Sequence, residues 1–274
     1  MRKESLPIGL FDSGVGGLTV ARRVMELLPQ ENIIYFGDTA RVPYGSKSAE
    51  TVNLYTQQAI AFLESRGVKM IIIACNTASA VGLEQAQSAA SVPVLGVIAP
   101  GASAALAATR NGIVGVIGTE GTVRSNSYQQ ALLDGNREIK VVAQACPLFV
   151  AFAEEGLAHH PATILMAREY LAPMLSRSID TLIMGCTHYP LLCPSIEQIA
   201  GPAVTLIDPG IATAAEARRT LEEMEMLNHS SSLPRHEYYL SDFPHKFIEV
   251  GSRFLGHQLN HVHRITLDEL ADFT

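Results

Sequence analysis

Short, almost unbroken apolar runs recur along this chain, and segments of helical character separate them. The runs are IGLF (8–11), IIYF (33–36), MIIIA (70–74), VLGVI (94–98), IVGVI (113–117), IKVVA (139–143), TLIMG (181–185) and VTLI (204–207). A strand with one wet face alternates apolar and polar residues. These runs do not alternate, so both of their faces must be covered. Helices are expected between them, at 17–28, 48–66, 77–90, 102–110, 124–134, 148–156, 161–176 and 191–199. Strands and helices in that alternation build mainly parallel sheets wrapped on both sides, an α/β fold. Beyond Ile207 come a helix over IDPGIATAAEARRTLEEMEML, a surface loop over NHSSSLPRHE, a strand at YYLSD, a helix over PHKFIEVGSRFLG and a strand at HVHRITL.

The pattern repeats itself. IGLFDSGVGG begins at Ile8 and VGVIGTEGTV at Val114, and each is a strand ending in a small-residue turn that opens a helix. Each is followed at a similar distance by a cysteine: Gly9 to Cys75 is 75 − 9 = 66 residues, and Gly115 to Cys186 is 186 − 115 = 71. Two similar doubly wound units are expected, each presenting its loops at the carboxyl ends of its strands, where such sheets bind ligands. The simplest division gives residues 1–98 with 207–274 to the first domain and 99–206 to the second, the active site lying in the cleft between them.

Composition narrows the function. Hydrophobic content of 47% with 17% charged residues describes a packed globule. A net charge of −7 argues against nucleic acid as a partner, because phosphate binding needs clustered Lys and Arg. The basic start MRKESLPIGLF lacks the apolar core of a signal peptide, and no stretch is long enough for a membrane span. A cytoplasmic location is therefore expected, with Cys75, Cys146, Cys186 and Cys193 as free thiols. A homodimer is one admissible assembly, and nothing in the chain decides it.

The cysteines carry the chemistry. In MIIIACNTASA an apolar strand delivers Cys75 to its tip, followed by Asn76 and Thr77. In TLIMGCTHYPLL another delivers Cys186, followed by Thr187 and His188. Backbone N–H groups and the helix dipole at such a tip favour the thiolate, so a lowered thiol pKa is expected. Two such sulfurs across a cleft could act on opposite faces of one carbon, the first removing a proton and the second returning one. Cys146 and Cys193 lack this context and read as packing residues. Cys186, His188 and Cys193 match no tight zinc spacing. A Cys186–His188 acyl-transfer pair would leave the Cys75 motif unexplained. A pyridoxal enzyme needs a Schiff-base lysine, and none of the five lysines stands at a strand tip.

Five segments together, FDSGVGGLTV (11–20), YFGDTARVPYG (35–45), ACNTASA (74–80), GVIGTEGTV (115–123) and MGCTHYPLL (184–192), resemble the glutamate racemases, and FPHKFIEVGSRFLG resembles that family's tail. The resemblance implies interconversion of L- and D-glutamate without cofactor or metal, supplying D-glutamate for peptidoglycan. It implies two pseudo-symmetric α/β domains about a buried site. It makes Cys75 and Cys186 the acid/base pair, Cys75 serving the D-enantiomer and Cys186 the L-enantiomer, assisted by Asp12 and His188 respectively. Substrate would be gripped by Asp12, Ser13, Tyr44, Gly45, Asn76, Thr77, Thr119, Thr122, Glu154, Thr187 and His188.

Plainer roles compete at several of these positions. Asp12 could cap the following helix, Thr119 and Thr122 could cap theirs, Tyr44 could pack, His188 could make a structural hydrogen bond, and Glu154 could sit on a solvated face. His245, His257, His261 and His263 read as surface residues. The family often carries an acid where this chain has Ala99. Some members have a longer N-terminal extension that binds a cell-wall precursor as activator; the short stretch before Ile8 carries the expectation that this activator is not needed. An aspartate racemase is the nearest alternative, although that family usually has Glu where His188 stands. A two-domain amino-acid binding protein is the alternative without catalysis, and it would have no use for two reactive thiols.

Overall fold

The computed structural model describes residues 3–242 and 247–273. Ten strands are present: β1 (Ile8–Asp12), β2 (Ile33–Gly37), β3 (Met70–Ile73), β4 (Val94–Gly96), β5 (Ile113–Gly118), β6 (Lys140–Ala145), β7 (Thr181–Gly185), β8 (Thr205–Ile207), β9 (His236–Leu240) and β10 (Val262–Arg264). The helices are α1 (Leu18–Leu27), α2 (Ala49–Ser65), α3 (Asn76–Ala89), α4 (Ile98–Ala108), α5 (Glu120–Arg124), α6 (Ser127–Gly135), α7 (Leu148–Glu154), α8 (Pro161–Leu175), α9 (Cys193–Ala200), α10 (Pro209–Glu223), α11 (Phe247–Leu255) and α12 (Leu267–Ala271). The expected tail helix begins at Pro244, and its first three residues, His245 among them, lie outside the described residues; His257, His261 and His263 are exposed.

Two sheets result, in the orders β10-β9-β2-β1-β3-β4 and β6-β5-β7-β8. Every strand pair among the described residues is parallel. The second order repeats the β2-β1-β3-β4 part of the first, which gives the echo seen in the sequence a topological meaning. β1, β2, β3 and β7 are buried at every position, as unbroken apolar runs covered on both faces should be. One apolar cluster runs from the first sheet (Ile8, Leu10, Ile72) into the second (Val114, Val116, Ile183), and α10 packs on both α1 and α4. A separate cluster covers the other face of the first sheet, around Phe11, Phe36 and Phe62.

Two local expectations change. The helix expected over 124–134 is instead two, α5 and α6, because Asn126 adopts a left-handed backbone with φ 56°. The helix expected from 191 is preceded by a 3-10 turn over Tyr189–Leu192, and α9 starts at Cys193 with Pro194 in its first turn, where a proline's missing N–H costs nothing.

Candidate active site

β3 and β7 hold equivalent places, each hydrogen-bonded to the lead strand of its sheet, and their carboxyl ends deliver Cys75 and Cys186 to one cavity of about 240 Å³. The cavity is also lined by Ser13, Tyr44, Gly45, Asn76 and Thr77 from one side and by Thr119, Glu154, Thr187 and His188 from the other. Of the residues singled out from sequence, Asp12 and Thr122 are not part of the lining; both stand one layer behind it.

Cys75 caps α3. Its backbone is extended (φ −65°, ψ 119°), and its sulfur accepts the Ala78 N–H at 3.5 Å. The Ser13 hydroxyl lies 3.5 Å from the same sulfur. The lowered pKa expected here is not found. Burial, and next the charge of Asp12, push the Cys75 thiol up to about 12, against the opposing donors Ser13 and Ala78. The helix N-terminus is outweighed because the sulfur is only 6% exposed and faces a carboxylate.

Asp12 ends β1 and is buried. It does not cap α1; its Oδ2 accepts the Gly14 N–H at 2.9 Å within the turn. Burial raises its pKa, while the His188 charge and the N–H groups of Gly17, Gly14 and Ser13 act in the other direction. Beneath the turn the buried Tyr35 hydroxyl donates to Gly14 O at 2.8 Å.

Cys186 has a different setting. The chain turns tightly after β7, and His188 Nδ1 lies 3.7 Å from the Cys186 sulfur. His188 Nε2 lies 3.0 Å from Glu154 Oε1, so the carboxylate at the end of α7 is turned onto the imidazole rather than left on a solvated face. Burial disfavours the imidazolium, yet the contacts with Cys186 and Glu154 outweigh it and raise the His188 pKa to about 10. The Cys186 charge acts in turn on Cys75, as expected of two sulfurs sharing one cavity.

The two sides are tied together by small polar groups. The hydroxyls of Thr77, Thr119 and Thr122 form a triangle with edges of 3.0, 3.1 and 3.3 Å. Thr119 also caps α5 by accepting the Thr122 N–H, so its capping and lining roles coexist. Tyr128 OH donates to Asn76 Oδ1 at 2.7 Å, and the Thr19 hydroxyl to Thr187 O at 2.8 Å. Gly16 makes this approach feasible: a Cβ there would sit 2.2 Å from Thr187 Oγ1 and 2.5 Å from the His188 ring. At Gly45 a Cβ would fall 2.9 Å from that of Thr119.

Tyr44 lines the cavity, but its hydroxyl is turned away and donates to Asp38, which also accepts from Ser241 and Arg41. Asp38 was missed in the sequence although it stands inside the YFGDTARVPYG motif. Val42 and Val150, which give the cavity apolar walls, were missed too; Val150 carried no signal. Ala99 is exposed and outside the cavity lining, so the acid it replaces would not face the sulfurs. Among the described residues no group of three His, Cys, Asp or Glu is placed to hold a metal ion, and no helix is long and apolar enough to cross a membrane.

Comparison with known proteins agrees with this arrangement. A glutamate racemase of Geobacter metallireducens is 51% identical over 95% of this chain and 97% of its own length. The crystal structure of glutamate racemase from Francisella tularensis in complex with D-glutamate has a TM-score of 0.91 at 42% identity, covering 97% of this chain and 99% of that one. The glutamate racemase of Escherichia coli, solved with L-glutamate and the activator UDP-MurNAc-Ala, has a TM-score of 0.79 at 28% identity, covering 95% and 98%. The Asp/Glu/Hydantoin racemase family model matches residues 17–217. With a family match over most of its length and relatives at half identity across nearly all of it, this chain belongs to the Asp/Glu/hydantoin racemase family.

Proposed function

We propose that the protein racemises glutamate by proton transfer at Cα between two sulfurs, without a cofactor. The observation that carries the reading is the pair of buried cysteines, brought to one cavity from equivalent strand tips of two sheets. Relatives solved with D-glutamate and with L-glutamate support the choice of substrate.

From L-glutamate, the Cys186 sulfur takes the Cα proton, its own proton having passed to His188. The Cys75 thiol then gives its proton to the opposite face. D-glutamate forms, Cys186 ends as a thiol and Cys75 as a thiolate. From D-glutamate the roles exchange, and Asp12, whose raised pKa suits a carboxylate that takes up a proton, receives the one leaving Cys75. Ser13, Asn76, Thr77, Thr119 and Thr187 offer hydroxyl and amide groups to the two substrate carboxylates, with Tyr44 and Gly45 supplying backbone edges. The carbanion has no cofactor to delocalise it, so the cavity must exclude water and aim its donors at the developing charge. Closure of residues 1–98 with 207–274 against 99–206 would do this. The reading further assigns a cytoplasmic protein that supplies D-glutamate for peptidoglycan.

The Cys186–His188–Glu154 row also suits nucleophilic acyl transfer, in which case a thioester on Cys186 should be trappable. The test of the main reading is pure L-glutamate in D₂O with no cofactor added. Loss of optical rotation with deuterium at Cα is expected; unchanged rotation without exchange would overturn it. Parallel turnover of L-aspartate decides between the two racemase specificities.

A further inference from the structure

The tail motif FPHKFIEVGSRFLG has no part in the chemistry above, yet two consecutive residues of its helix touch the His188–Glu154 pair. The Arg253 guanidinium donates through Nη1 to the backbone oxygen of Glu154 at 2.8 Å. Its other arm reaches Glu249, one turn back on α11, at 3.3 Å. Gly156 leaves room for it: a Cβ there would lie 2.8 Å from Nη1. The buried Phe254 ring meets the His188 ring edge-on, centroids 5.1 Å apart at 81°. α11 is itself packed on α1, the helix that follows the Asp12 turn.

From this we infer that α11 is a positioning element for the acid–base pair on the Cys186 side, with Arg253 fixing the end of α7 so that Glu154 reaches His188 and Phe254 fixing the imidazole plane. A cation on the last carbonyls of a helix is favoured by the helix dipole. Here that contact sits at the residue whose carboxylate bonds the imidazole. Half of the Glu154 side chain's surface is open to water (44%), so the carboxylate has alternatives in solvent unless its backbone is held. The inference rests on the proposed racemase reading for its kinetic consequence, and on geometry alone for its structural one.

The direction of the effect separates positioning from simple charge. His188 faces Cys186 and Thr187 from its own loop, Glu154 from α7, Asp12 from β1 and Phe254 from α11. Loss of the Arg253 cation by itself would make it easier to protonate His188. Loss of the Glu154 contact would make it harder. The test is Arg253→Met, with Arg253→Lys as the conservative variant, alone and combined with Glu154→Gln in the full chain. Titration of labelled histidine, with the His188 signal assigned from His188→Asn, needs no racemase activity. Arg253→Met is expected to lower the His188 titration midpoint and move the alkaline limb of the kcat profile to lower pH, with kcat reduced several-fold and KM less affected. Arg253→Lys should restore much of this. In the Glu154→Gln background Arg253→Met should add little, since both act through one contact. An unchanged or raised His188 midpoint, or full additivity of the two substitutions, would overturn the inference. A wild type without racemase activity would instead sink the functional reading and leave the histidine titration to decide this one.

Discussion

At Cys75 a strand runs straight into a helix; at Cys186 an equivalent strand runs into a tight turn and a 3-10 segment. The first sulfur caps a helix, has a serine hydroxyl beside it and looks back on the buried carboxylate of Asp12. The second faces an imidazole that a glutamate holds from behind. The strand order that delivers them is the same, so the difference lies entirely in the loops. A negative charge stands behind one sulfur and a positive one beside the other. Cys75 is thereby kept as a thiol able to donate, and Cys186 is paired with a group that can hold its proton. A symmetric scaffold thus presents an asymmetric pair, as a reaction needs when it lifts a proton from one face and returns one to the other.

The comparison breaks first at the sulfurs. Cys75→Ser and Cys186→Ser should each lower racemase turnover by about 10²- to 10⁴-fold, the usual contribution of a general acid or base. Circular dichroism of glutamate solutions would follow it. A single variant with full turnover would remove that sulfur from the chemistry.

The charge difference should be visible in stability. His188 titrates higher when folded than its ordinary 6.5, at about 10. Its contribution is therefore complete below 6.5 and lost as pH rises through about 10, because the native state holds a proton that the unfolded chain releases. Cys75, raised from 9.0 to about 12, adds a further alkaline loss of the same sign in its own window. Urea unfolding of wild type and His188→Asn across the lower window should give a falling curve for the first and a flatter one for the second. Parallel curves would show that the His188 contacts carry no such energy.

The smallest effect concerns the link between the corners. Tyr128→Phe leaves the buried Asn76 oxygen without its 2.7 Å partner. It should cost about 1–3 kcal/mol of unfolding free energy, read from denaturant midpoints. A neutral result would mean that water replaces the hydroxyl.

What was legible in the sequence follows from what is local. Strands such as 33–36 and 181–185 announce themselves because burial on both faces leaves an unbroken apolar run, and both cysteines stood out because polar pairs follow them. The break at Asn126 was not legible: a left-handed residue inside a helical pattern leaves no trace in periodicity. Nor was the direction of the Cys75 shift, which depends on Asp12, a residue 75 − 12 = 63 positions away, brought close only by the pairing of β1 with β3. The Glu154–His188 bond and the turning of the Tyr44 hydroxyl onto Asp38 are likewise contacts between elements, and no spacing along the chain encodes them.

The most direct test of the two-sulfur account is the fate of deuterium in the first few per cent of turnover. L-glutamate is incubated in D₂O, the reaction is stopped early, and the enantiomers are separated and weighed by mass spectrometry. Two separate proton carriers predict deuterium at Cα of the D-glutamate formed and essentially none in the L-glutamate recovered. A product that keeps its original hydrogen, or equal labelling of both enantiomers, would mean that one group serves both faces, and the account would be wrong.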